Sequence, residues 1–214
     1  MTALVLAAPL LAVGHFASLW WRQRRRVRGL WSCAQQTGMS FSREDLFDLP
    51  IRYACFALVS GGHSPWAANV TYGRLEGLAV RAFDLRLEAG HGPRRLVRPY
   101  AVTVIETDSP LPALILWNNR FAEDAPLGAR RQEGLVGDWS LRGDAQAAAG
   151  LVPLLAGSQQ RLVCLELAGS AMLAAATAPR SPDYGLDPQL LRHLVAAART
   201  LRPPDAGAPS GGAP

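Results

Sequence analysis

Residues 3–21, ALVLAAPLLAVGHFASLWW, hold no formally charged side chain, and the pattern turns abruptly basic at Arg22. At roughly 1.5 Å per residue, an unbroken helix over this stretch reaches about 28 Å, close to the hydrocarbon thickness of a bilayer. The pattern therefore predicts one N-terminal transmembrane helix, residues 1–21. Trp20 and Trp21 stand where an interfacial aromatic belt belongs, and Arg22, Arg24, Arg25, Arg26 and Arg28 follow at once. By the positive-inside rule the chain after this cluster is cytoplasmic and the N-terminus lies outside. A cleaved signal peptide has the opposite order, charge before the apolar run and small residues at its exit. The expectation is thus an uncleaved single-pass anchor in a bacterial inner membrane.

Beyond residue 21 the apolar positions take helical spacing. Val27, Leu30, Trp31 and Ala34 share a face and Gly38 is a plausible stop, so residues 22–38 read as a basic juxtamembrane helix, continuous with the anchor or bent from it. Its Arg side chains, with Trp20 and Trp21, are expected at the lipid surface, each cation worth on the order of 1 kcal/mol against anionic headgroups.

From residue 45 the period shortens. Tyr53 to Ser60 is an apolar run that reads as a strand or a short buried segment. Strands are expected over Asn69–Leu75 and Leu78–Glu88, joined at Glu76-Gly77 where glycine supplies a positive φ, then over Val97–Thr107 and Ala113–Trp117. The polar stretch from Asn118 to Gly137 reads as a long connection. Trp139–Arg142 is a further strand, Asp144 caps a helix to about Leu155, and Arg161–Ala168 with Ala171–Thr177 form a hairpin. Asp187 and Pro188 open the clearest helix, whose face is Leu190, Leu191, Leu194, Ala198 and Leu201, with Arg192, Ala196 and Arg199 opposite. Residues 203–214, PPDAGAPSGGAP, have the composition of a disordered tail. The reading is an α+β cytoplasmic domain over residues 39–202, with an antiparallel sheet of six or seven strands and a C-terminal packing helix, large enough to bury a full core. A barrel-like closure of the sheet by that helix is the alternative, and the helix after Asp144 argues against it.

Composition narrows the chemistry. All 22 basic residues are Arg and none is Lys, which removes the Walker P-loop, pyridoxal and Ser-x-x-Lys mechanisms that need an amine at a fixed place. Five Arg fall in residues 22–28, and the other 17 are matched by 17 acidic residues, so the net charge of +5 is one local patch. A globular part without net charge lacks the footprint of a nucleic-acid binder.

Cys33, Cys55 and Cys164 are scattered without a C-x-x-C pair, so their spacing suggests no metal site, and Cys164 in its apolar strand reads as a buried thiol. His63 and Ser64 in a glycine-rich loop, with Asp84 on a nearby strand, outline a Ser–His–Asp set, but Gly-His-Ser-Pro is not the strained elbow that nucleophile requires. Asp84 is expected to pair with Arg81 or Arg86 on the sheet surface, or to cap a loop. The loop holding His91, Arg94 and Arg95 could meet an anion or an acidic partner. Gly14 and His15, with small residues around them, offer a close helix contact inside the membrane; as a neutral imidazole, His15 is also a ligand candidate for haem or chlorophyll.

The segments Tyr72-Gly73-Arg74, Gly77, Val80-Arg81-Ala82-Phe83-Asp84, Val104-Ile105-Glu106-Thr107 and Leu111-Pro112 resemble an uncharacterised bacterial family of membrane-anchored proteins with a cytoplasmic domain of unknown function, over residues 45–175. The resemblance implies the anchored layout and no catalytic residue. The sequence thus points to a noncatalytic accessory or scaffold subunit that docks on an integral membrane complex, respiratory or photosynthetic, and braces its cytoplasmic face. No cofactor is called for. The alternatives are a membrane-tethered hydrolase of lipid or envelope precursors and a lipid- or peptide-binding module.

Overall fold

The computed structural model describes residues 2–90, 92, 95–124, 133–154, 162–177 and 187–201, with the backbone alone for 2–12 and 122–124. Its first element, α1 (Thr2–Thr37), is one continuous helix through the apolar-to-basic boundary. Gly38 ends it by turning left-handed (φ +67). That turn lets the Met39 N–H donate to the Ala34 carbonyl at 2.8 Å and the Gly38 N–H to the Gln35 carbonyl at 3.3 Å, the paired bonds that satisfy a helix's last carbonyls. Leu30, Cys33 and Ala34 are buried, while Trp31 is 56% exposed. The packed face is therefore rotated from the one the spacing suggested.

Among the described residues no helix is long and apolar enough to cross a membrane. Residues 3–12, half of the segment on which that expectation rests, lie outside those whose side chains are described, as does the expected tail at 203–214.

Nine strands, among the described residues, make one sheet: β1 (Ser40–Ser42), β2 (His63–Leu75), β3 (Leu78–Ala89), β4 (Leu96–Glu106), β5 (Leu114–Asn118), β6 (Gly134–Val136), β7 (Trp139–Gly143), β8 (Leu162–Ala168) and β9 (Ala171–Thr177). Every pairing is antiparallel, in the order β1-β2-β3-β4-β9-β8-β5-β7-β6. The count corrects the expected six or seven. β1 and β6 are the two edges, three residues each, too short to display a period. They pair with β2 and β7 rather than with each other, so the sheet is open and not a barrel.

α1, α4 (Ala145–Leu154) and α5 (Pro188–Thr200) cover one face, where Ala34, Ala148 and Leu194 meet Val80, Ile105, Trp139 and Leu165. Two short helices, α2 (Leu49–Arg52) and α3 (Ala57–Ser60), cover the other, over Leu85, Val104, Trp117 and Leu173. The apolar run at Tyr53–Ser60 is thus a turn, with Tyr53 and Phe56 buried, followed by α3, and not a strand. The β2–β3 hairpin turns at Glu76 and Gly77, both with positive φ (52 and 86), as a two-residue turn of the favoured twist demands.

Candidate functional site

The junction between α1 and the sheet carries a largely buried polar clamp. Odd and even positions of β3 face opposite ways, and Val80 and Asp84 share the face on which α1 lies. Arg26 reaches across to Asp84, its Nε donating to Oδ2 at 2.8 Å and its Nη2 paired with Oδ1. Asn69, buried and left-handed (φ 53) at a bulge in β2, donates its Nδ2 to the same Oδ2 at 2.8 Å. The side chains of Arg26 and Asp84 are only 14% and 15% exposed.

Two expectations are corrected by this clamp. Arg26 belongs to the domain and not to the lipid surface, and Asp84 pairs with neither Arg81 nor Arg86. A bidentate, mostly buried pair is costly to break from one side, because the surviving charge loses its partner. Asp84→Ala is expected to destabilise the domain by about 2 kcal/mol in urea unfolding, and Arg26→Ala on that background to add much less than it does alone. Additive losses would show that the two do not act as a pair.

N-terminal to Arg26 the helix leaves the domain. Val13, Phe16, Leu19, Trp20 and Trp21 are 45% to 70% exposed, and Gly14, His15, Arg22, Arg24, Arg25 and Arg28 are exposed as well. The Arg24 guanidinium lies 4.2 Å over the Trp20 ring and that of Arg25 lies 4.0 Å over Trp21, the i, i+4 stacking that a helix allows. The His15 ring meets that of its neighbour Phe16 edge-on, at 6.3 Å between centroids. The structure leaves the sequence-identified Trp and Arg, Arg26 excepted, facing outward on one segment.

The other candidates are not brought together. His63 stands opposite Glu88 and Ala68 opposite Asp84, so Asp84 lies four residues along β3 from the level of His63, about 13 Å away. With Asp84 taken by Arg26 and Asn69, no Ser–His–Asp set forms at Ser64. Arg95 donates to Glu88 at 3.0 Å, both on the surface, whereas His91 and Arg94 lie outside the described residues. Cys33 and Cys164 are buried, and burial pushes Cys33 up to about 11 and Cys164 well above the ordinary thiol value; Cys55 is exposed. Among the described residues no three His, Cys, Asp or Glu are grouped as a metal site would need.

A cluster that spacing did not reveal sits on the opposite face. Glu106 of β4 receives Arg81 of β3, its diagonal neighbour across the strands, at 2.7 Å, Arg52 of α2 at 3.0 Å, and the Tyr53 hydroxyl at 3.0 Å. Burial alone would raise Glu106, but the hydrogen bonds from Arg81, Arg52 and Tyr53 outweigh it and hold the carboxyl below its ordinary value. Burial, with Glu106 adding to it against Arg81, pushes Tyr53 up to about 12. Arg52, Tyr53 and Glu106 line an open depression of about 530 Å³. The four residues of the cluster come from three separate stretches of chain, with only Arg52 and Tyr53 adjacent, so their spacing does not announce it. The carboxylate is saturated with donors, which suits a lock between α2 and the sheet better than a general base.

No family model matches the sequence, and no curated protein does. Among solved structures, the chain is similar to the mycobacterial trehalose monomycolate transport factor A, TtfA, with a TM-score of 0.58 over 85% of this chain and 99% of that one. The identity is 18%, so the likeness is one of fold.

Proposed function

We propose that this protein is a single-pass accessory subunit of the bacterial inner membrane, anchored by residues 1–21 with its N-terminus outside, whose cytoplasmic sheet domain docks on and braces an integral membrane complex. The observation that carries the reading is the continuity of α1: its last turns are core, Arg26 is clamped to Asp84, and the exposed apolar and Trp-Arg segment continues from them without a linker. An anchor built into the core in this way fixes the height and orientation of the domain above a membrane, which a brace needs and a freely tethered enzyme does not. The Arg-rich segment after Trp21 supports the cytoplasmic side, and its outward Arg suit anionic headgroups. The fold's likeness to a protein titled a transport factor agrees with an accessory role.

A Cβ added at Gly14 would meet nothing within 4 Å. Gly14→Leu is therefore silent toward this chain and disruptive only to a close contact with another helix. The native protein is expected to co-purify from mild detergent with a larger membrane assembly, and Gly14→Leu to weaken that association while the domain's melting is unchanged. A cytoplasmic reporter fused after Pro214 should be active. Free monomer in native membranes, unaltered by Gly14→Leu, would end the subunit reading in favour of a tethered enzyme or binding module.

A further inference from the structure

Three strands finish at the level where α1 leaves the domain. A Cβ on Gly73, opposite Val80, would touch Met39, just past the C-terminus of α1, whereas Arg26 reaches Asp84 further along β3. Toward its N-terminus, then, α1 climbs to the end of β3 and the beginnings of β2 and β4. Trp20 and Trp21 rise about 8 Å beyond Arg26, and Arg86, two residues past Asp84 on the same face, lies about 7 Å beyond it. Counted in rises along each element, the two sets lie comparably far from the Arg26–Asp84 clamp. In register across the sheet, Arg86 stands between Trp66 of β2 and Pro99 of β4, and Val97 faces Glu88 beside them. Trp66 is 52% exposed, Val97 63% and Leu96 62%, and the Arg86 guanidinium lies 5.1 Å over the Trp66 ring. One layer of the molecule thus holds three exposed Trp rings, each under a guanidinium. Of the acids near this layer, Asp84 is engaged by Arg26, Glu88 by Arg95 and Asp45 by the Phe47 and Leu49 N–H groups, while Glu44 and Asp48 line a depression beside Trp66 on the β1 side.

We infer that this end of the sheet is a second membrane contact, on which the headgroup layer of an anionic bilayer rests, with Trp66, Val97 and Leu96 at the acyl boundary and Arg86 toward phosphate. The inference rests on the anchored reading and adds the orientation of the domain. Indole rings favour that interface, and guanidinium groups stacked on them can turn to phosphate while their stems cover apolar surface. A protein partner would need no match in height between these residues and Trp20 and Trp21; a bilayer plane requires one.

The test places spin labels on the full chain with Cys55→Ser, leaving buried Cys33 and Cys164 unreactive, at Phe16→Cys, Val97→Cys or Leu135→Cys, reconstituted in phosphatidylcholine vesicles containing phosphatidylglycerol. The ratio of oxygen to water-soluble nickel accessibility at position 97 should exceed several-fold that at 135, on edge strand β6, and Arg86→Glu should lower it. A position 97 as aqueous as 135, with 16 in lipid, would overturn the second contact and leave the anchor standing. If 16 is aqueous too, both fall. Shielding of 97 in native membranes but not in pure lipid would assign the surface to a protein and equally overturn the inference.

Discussion

Leu194→Asp abolishes cooperative unfolding of the domain at ordinary temperature or lowers its melting midpoint by on the order of 10 °C or more. Leu194 is 1% exposed at the centre of the α5 face, packed into the cluster that joins α1, α4 and the sheet. An aspartate there is either a buried charge without a partner or a carboxyl forced to stay protonated, and either costs about 4 kcal/mol or more against a total stability of roughly 5–15. Heating the full chain in detergent while following helix content gives the measurement. A midpoint within a few degrees of the parent would mean that α5 does not carry the core.

On the outer face of α5, Arg199 also makes a tertiary contact. Arg199 donates to the Glu76 carboxylate at 2.6 Å and also to its backbone carbonyl, tying α5 to the tip of the β2–β3 hairpin. Both side chains are more than two-fifths exposed, at 46% and 41%, so solvent screens the pair. Its loss in Arg199→Ala should cost no more than about 1 kcal/mol. Arg199→Asp sets two acids together and should cost somewhat more, still far below the change at Leu194.

What could be read from sequence divides by the range of the interaction that decides it. The β8–β9 hairpin and α5 carry their own signals: Asp187 accepts from the Gln189 N–H at 2.9 Å, Pro188 follows, and five buried positions recur at helical spacing. β2 begins at His63 rather than the expected Asn69, because Ser64 and Asn69 sit at positive φ beside bulges that break the alternation. The run after Tyr53 is decided still further away. Its apolar residues fit a strand equally well, but the carboxylate of Glu166, over a hundred residues on, accepts the Ala57 N–H at 2.6 Å and the Leu58 N–H at 2.8 Å and so satisfies the start of α3. The Arg26–Asp84 clamp, spanning 58 residues, was hidden for the same reason: composition shows only an Arg cluster and cannot say which member turns inward. The outward Trp-Arg segment was legible because it depends on neighbours four residues apart.

Glu166 also sets the pH response of the fold. It is 2% exposed in the middle of β8, and burial, against the opposing Leu58 and Ala57 N–H groups, pushes its carboxyl up to about 7 from an ordinary 4.5. A carboxyl raised on folding holds its proton in the native state after the unfolded chain has lost it. The stability it contributes is therefore full below about pH 4.5 and is lost as the pH rises through about 7, a change of about 3 kcal/mol. Glu106, held low, acts in the other direction and only as the pH falls into the acid range. Between about pH 5 and pH 8 the Glu166 slope should dominate, so urea midpoints of the parent chain should decline steadily across that window. Glu166→Gln keeps an oxygen for the α3 N–H groups and has no proton to lose. Its midpoint should stay level, near the parent's at about pH 5 and above it at about pH 8. Parallel profiles for the two chains would place the titrating group elsewhere and would leave Glu166 as no more than the cap of α3.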